Sequence, residues 1–293
     1  MMRVALRVSI GVVVLLAVGL AGLEAGTLRV PADFKGVQEA VQEATYGDTI
    51  LVSPGKYKVQ ARLRSGVKLL SEEGPDSTVL WSRRWHVLEL IDCDLETQVT
   101  GFTFEGKGCN ICLPCTTGAP AITGNIITDG WDGMSLYKCN ALIKGNTITR
   151  CKRGVHLEYS DPEMIENVFT DNGDAVSVVG AAPVIARCRF EHNSRAILIL
   201  GHSYPTIGGS LTAANDILTN GFTIYNAGLR IDGTMYTDER EVAVATHNYW
   251  GSDCPDDSRC RGEVVFSPWT NAAHDTLIYE CPEVPASDEE GSE

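Results

Sequence analysis

Gly124-Asn-Ile-Ile-Thr-Asp129, Gly145-Asn-Thr-Ile-Thr-Arg150 and Glu166-Asn-Val-Phe-Thr-Asp171 are three copies of one pattern, set 21 residues apart. The step persists outside those segments. Ile122, Ile143, Met164 and Ile185 form one apolar column, and Ile127, Ile148, Phe169 and Phe190 form another. Gly133, Gly154, Ala175 and Ala196 are all small, and Pro120, Ala141, Pro162 and Pro183 make a fourth column. The column of Asn125, Asn146 and Asn167 runs on to Cys188. Backward, a 23-residue step pairs Phe104 with Ile127 and Asn110-Ile-Cys-Leu113 with Gly133-Met-Ser-Leu136. Forward, the register extends less regularly to Asn215 and to Gly228-Leu-Arg-Ile231.

Several columns in one register require a repeat architecture. Each unit is too short for a pair of helices and holds three short apolar stretches broken by Gly, Asn, Asp and Pro. Val155-His-Leu157 and Ala175-Val-Ser-Val178 read as half-buried strands. Three strands per unit, with equivalent residues stacked about 4.8 Å apart, predict a parallel β-helix. Parallel crossovers favour the right-handed form. An Asn at a fixed turn position lets side-chain amides hydrogen-bond from coil to coil. The expected fold is all-β: one solenoid of three sheets, with regular coils over about 80–232.

Composition narrows the function. The chain has 293 residues and a net charge of −14, which disfavours binding to nucleic-acid phosphates. With 44% hydrophobic and 21% charged residues, it is not a disordered polymer. Arg3 and Arg7 precede the apolar run Val8–Leu20, followed by small residues at Ala21, Gly22, Ala25 and Gly26. That order predicts a signal peptide over 1–25, cleaved after Ala21 or Ala25, and a secreted or periplasmic protein with no stable membrane insertion afterwards. An uncleaved anchor is the alternative, although the run is short for a span. Removing 1–25 takes away Arg3, Arg7 and Glu24 and leaves −15. All ten cysteines then sit in an oxidising compartment, where disulfides are favoured. The body is expected over 26–281 and a disordered acidic tail over 282–293.

Val30–Ala44 precedes Gly47-Asp-Thr-Ile-Leu-Val-Ser-Pro-Gly-Lys-Tyr57, and the spacing of Val37, Ala40, Val41 and Ala44 predicts a helix over about 36–45. Near the other end stand Asn248-Tyr-Trp-Gly251 and Gly262-Glu-Val-Val-Phe-Ser-Pro-Trp269. With the Asn column, these features resemble exported bacterial right-handed parallel β-helix proteins of the pectin-lyase-like type, over about residues 27–270. The resemblance implies that the helix caps the N-terminal end and that a closing segment covers about 240–270. It also implies that Asn125, Asn146 and Asn167 mark the turn between the second and third sheets. Ser135, His156 and Ser177 then lie on the first sheet, whose outer face and flanking turns commonly carry the site in polysaccharide-acting members. Motifs of particular enzymes are partial. Gly201-His-Ser203 and Leu229-Arg-Ile-Asp232 only approach the Gly-His-Gly and Arg-Ile-Lys of galacturonan hydrolases. Pectin-methylesterase-like similarity stops at the N-terminal cap.

Two charged columns step by 21 residues: Asp129, Arg150, Asp171, His192 and Asp132, Arg153, Asp174, Arg195. Opposite charges stacked on neighbouring strands make a ladder, which is a structural reading. The catalytic reading places Asp132 and Asp174 two coils, roughly 9–10 Å, apart, near the upper end for an inverting carboxylate pair. Arg153 between them would lower a carboxylate pKa, which fits a calcium-assisted lyase better than a general acid. His156 is a candidate general base, with Glu158 or Tyr137 beside it. Ser135, Tyr137 and Ser177 are candidate substrate-binding residues, because an outer stripe of Tyr, His, Ser and Glu suits sugar stacking and hydrogen bonding. An ordinary polar stripe is the plainer alternative.

Cys109, Cys112 and Cys115 have the spacing of iron–sulfur ligands. An extended strand would separate residues three apart by about 10 Å, so no metal site is assigned there. Cys115 aligns with Lys138, which makes a Cys115–Cys139 disulfide the expected pairing. Cys254 and Cys260 are expected to close the short acidic loop between them, and Cys188 to be a buried thiol. The favoured function is recognition of a polysaccharide or cell-envelope glycan, with cleavage by a lyase or glycoside hydrolase left open. No cofactor is required, and calcium would serve a lyase. The alternatives are a non-catalytic structural or adhesion solenoid and a periplasmic copper-site maturation factor. One β-helix group serves nitrous oxide reductase in that way, but only five methionines and dispersed histidines do not favour copper handling.

Overall fold

Each repeat folds as three short strands joined by tight corners. One coil comprises Asp132–Tyr137, Leu142–Lys144 and Thr147–Thr149; the next comprises Arg153–Glu158, Glu163–Ile165 and Val168–Thr170. Ser135 pairs with His156, His156 with Ser177 and Ser177 with Leu198, all in parallel. The 23-residue step holds as well, with Phe104 opposite Ile127 and Ile111 opposite Met134. The computed structural model describes residues 25–114, 118–226, 230–231, 234–235, 242–252 and 254–281. In these it forms a first sheet of eight strands, a second of nine and a third of eight. Parallel pairing begins with Thr27–Val30 against Thr49–Val52.

The apolar columns fill the interior. Ile122, Ile143, Met164 and Ile185 from the second sheet meet Ile127, Ile148, Phe169 and Phe190 from the third, all fully buried. The Phe169 and Phe190 rings stack at 4.9 Å and 3°. Burying each such side chain stabilises the fold by about 1.5–3 kcal/mol. Val37, Ala40 and Val41 bury one face of the helix Val37–Glu43 against the first strands, as their spacing requires.

The corners explain the polar columns. Asp129, Arg150, Asp171 and His192 all have φ between 53° and 61°. Lys138 and Tyr159 take the same left-handed turn after the first-sheet strands. Asn125 follows a third such corner and accepts from the Phe102 amide at 3.0 Å while donating to Asn146 Oδ1 at 3.1 Å. Asn146 repeats this with Asn167 at 3.0 Å. Cys188 interrupts the ladder as a buried thiol, and Asn215 and Asn248 resume it at 2.8 Å. Among the described residues Asn248 is thus the last rung, which accounts for the Asn of the C-terminal motif. A second ladder, Asn172, Asn193 and Asn220, lines the corner leading into the first sheet.

Two expectations about cysteine are corrected. Cys254 pairs with Cys281, Cα–Cα 5.0 Å, not with Cys260. A short helical turn at Asp257–Arg259 carries Cys260 onto Thr223, whose Oγ1 lies 3.2 Å from its sulfur, so Cys254 faces the returning chain instead. Cys109 and Cys112 are not held apart: the chain bends between them, their Cα atoms are 6.1 Å apart, and the sulfurs are paired. Cys115 lies outside the described residues, and with it the expected bond to Cys139; Cys139 itself is buried. The expected signal segment through residue 24, the tail 282–293 and Asp232 also lie outside them. Among the described residues no helix is long and apolar enough to cross a membrane.

Candidate functional site

On the strand Arg153–Glu158, Gly154, Val155 and Leu157 turn inward while His156 and Glu158 turn outward. The same alternation puts Ser135 and Tyr137, then Ser177, on the outer face of the first sheet. All eight predicted site residues therefore belong to one face spanning three coils.

The charged column is committed to pairs. Arg153 donates from Nε to Asp132 Oδ1 at 2.6 Å and from Nη2 to Oδ2 at 2.8 Å. Arg195 grips Asp174 in the same two-pronged way. Both carboxylates are buried, so each is a fixed acceptor rather than a loose acid. Asp129 and Arg150 form a parallel bidentate pair at 3.0 and 3.1 Å on the exposed corner. The alternating signs therefore resolve into discrete couples.

His156 stands between them. Its Nδ1 lies 3.4 Å from Ser177 Oγ, and no hydrogen bond joins it to Glu158 or Tyr137 among the described residues. Burial lowers its pKa from the usual histidine value, and the Arg153 guanidinium lowers it further. The ring is thus neutral at neutral pH and able to accept a proton.

Aromatic side chains that the repeat pattern did not single out border this strip. On one margin Trp131 is 52% exposed, with Lys152 Nζ 3.6 Å from its ring centroid. On the other, Tyr159, 55% exposed, meets Tyr137 edge-on at 6.2 Å, and Lys138 lies 5.1 Å from the Tyr137 ring centroid. The signal was present in the 21-residue step, which sets Trp131 beside Lys152 and Lys138 beside Tyr159. Among the described residues no three His, Cys, Asp or Glu side chains converge as a metal site.

A family model described as a right-handed β-helix region matches residues 89–239, more than half of the 293-residue chain. The chain belongs to the right-handed β-helix family. No curated protein sequence matches this β-helix protein. Among solved structures it is similar to an alginate lyase from Paenibacillus sp. str. FPU-7, at 14% identity and TM-score 0.40, covering 84% of this chain and 99% of that one. It is also similar to a pectin methylesterase from carrot, at 12% identity and TM-score 0.48, covering 85% and 90%. ORF18 of Geobacillus virus E2 follows at 15% identity and TM-score 0.33, covering 80% and 56%. The likeness is one of fold alone.

Proposed function

We propose that this β-helix protein is exported and binds a polysaccharide along the outer face of its first sheet. The observation that carries the reading is the pair of exposed aromatic margins, Trp131 with Lys152 and Tyr137 with Tyr159, on either side of a polar, ion-paired strip. Sugar rings stack on such rings, and their hydroxyls find partners in the part-exposed Ser135 and Glu158, while Asp132, Asp174 and Ser177 lie buried beneath them. The ion pairs keep that floor rigid, which reduces the ordering cost of binding. The test is a panel of neutral and acidic polysaccharides, with and without calcium, presented to residues 26–293. Saturable binding that weakens in Trp131→Ala and Tyr159→Ala supports the reading. No binding across the panel overturns it.

A neutral, half-buried His156 favours a second reading, cleavage on the same face with His156 as the base. In it Arg153 holds Asp132 and balances charge, while Asp174 and Glu158 complete the polar surround. New chain ends that vanish in His156→Ala would support cleavage. Binding without new ends would leave a carbohydrate-binding solenoid.

A further inference from the structure

The geometry points to a second site: we propose that Cys109 and Cys112 form an accessible thiol–disulfide exchange centre that oxidises dithiols of extended exported polypeptides. The pair does not behave as a coil-to-coil staple. It links residues only three apart on one strand that is already hydrogen-bonded to both neighbours. Closing so short a loop removes little entropy from the unfolded chain, whereas Cys254–Cys281, with a separation of 27, removes much more. Inside the motif, Asn110 is fully buried and its Oδ1 has no hydrogen-bond partner. An unsatisfied buried acceptor marks a local conformation held at a cost, and a redox role is one recognised reason to keep it.

The surroundings suit exchange. Cys112 is the more open of the two sulfurs, and Cys109 is buried. His86 occupies the register position beside Cys109 on the preceding coil, where an imidazole stabilises a departing thiolate. Trp85, 77% exposed, lies one coil before the pair, and Trp131 lies one coil after it. Cys109 donates its amide to the Trp85 carbonyl at 2.8 Å, and Trp131 donates its own to Gly108 at the same distance. Two exposed indoles around a cysteine pair fit an unfolded, apolar segment better than a small thiol.

The chemistry balances without an outside oxidant. A thiolate of the partner attacks Cys112 Sγ, the Cys109–Cys112 bond breaks, and a mixed disulfide forms while Cys109 leaves as thiolate. The second partner thiol gives up its proton and attacks the mixed disulfide at the partner's sulfur, which releases Cys112. The partner loses two electrons and two protons to become a disulfide, and Cys109 and Cys112 gain them as thiols.

The test equilibrates the folded protein in graded glutathione buffers, traps thiols by alkylation, and maps positions 109, 112 and 115 within the tryptic peptide 108–138 by fragment ions. Cys109 and Cys112 are expected to open at a glutathione ratio that leaves Cys254–Cys281 intact. The oxidised protein is then expected to pass its disulfide to reduced, unfolded ribonuclease. Cys112→Ser should abolish transfer, and His86→Gln should slow transfer and move the opening of the pair to a more reducing glutathione ratio. The proposal is overturned if the pair never forms, if it opens only together with Cys254–Cys281, or if it cycles but transfers nothing. Cys254→Ser, expected to transfer normally, separates loss of exchange from loss of fold.

Discussion

Asn167 Nδ2 meets Cys188 Sγ at 3.8 Å, whereas the preceding rungs join amide to amide at 3.0 and 3.1 Å. The sulfur is a weak acceptor, and Asn215 Oδ1 takes the Cys188 backbone amide at 2.8 Å, so at this rung the ladder keeps its backbone-to-side-chain bond and loses the amide-to-amide one. Cys188→Asn should restore the missing rung and stabilise the protein by about 1 kcal/mol, read as a higher urea midpoint with an unchanged slope. The converse change is costly. Asn146→Ala strands the Asn125 amide and the Ile122 carbonyl in the interior, and a loss of about 2–4 kcal/mol is expected.

The same burial governs reactivity. Desolvation pushes the Cys151 and Cys188 thiols up to about 11. At pH 8 neither carries appreciable thiolate, so iodoacetamide should leave both unmodified in the folded protein and modify both in urea. Mass mapping of the two peptides checks this. Modification of either thiol without denaturant would show that the corner opens locally.

The pH dependence follows from His156. Its folded pKa lies below the unfolded value of about 6.5, because burial and Arg153 disfavour the charged ring. The unfolded chain therefore binds the proton more readily. The contribution to stability is full above about pH 6.5 and is lost as pH falls towards the folded pKa. His156→Asn should flatten the change in Tm between pH 7.5 and pH 5 relative to the parent. An unchanged slope would mean that His156 does not titrate in this window.

The sequence exposes these features unevenly, for physical reasons. Inward columns such as Ile143 and Met164 are legible because every coil must fill the same interior volume, so apolar character recurs at each step. The first Asn ladder is legible because three consecutive rungs are identical. The second is not: its rungs at Asn172, Asn193 and Asn220 are preceded by Cys151 and Gly130, and a 27-residue coil breaks the step. The face of His156 and Ser177 follows from alternation, but its margins do not. Corner residues face solvent, no packing constraint makes Trp131 or Tyr159 repeat, and their value lies in being different from their column. The bend that joins Cys109 to Cys112 is hidden because a strand pattern is read as straight.

Arg153 tests how far the ion-paired floor supports the fold. Its planar fork matches the Asp132 carboxylate at 2.6 and 2.8 Å, a fit that lysine cannot reproduce. Arg153→Lys should cost about 1–2 kcal/mol and Arg153→Ala about 2–3, since the alanine leaves a buried carboxylate without its donors. Urea unfolding of both variants beside Asp132→Asn would separate loss of the pair from loss of arginine packing. If Arg153→Ala and the double variant Arg153→Ala with Asp132→Asn are equally stable, the stranded charge is not the source of the cost.

The aromatic margin can be tested without touching an aromatic residue. Gly180 has φ +59°, and a Cβ added there would lie 2.8 Å from Tyr159 Cε1, so the bare backbone is what lets the ring lie over the next coil. Gly124 has φ +61° at another corner and has open space around the same position. Alanine at either site pays the left-handed backbone cost, about 1–2 kcal/mol, and should lower the urea midpoint comparably. Only Gly180→Ala moves the Tyr159 ring. If that ring stacks on sugar, Gly180→Ala should weaken glycan binding about fivefold, close to the effect of Tyr159→Ala, while Gly124→Ala leaves binding unchanged. Equal losses from both glycine variants would trace the effect to the fold, and no loss from either would remove Tyr159 from the binding face.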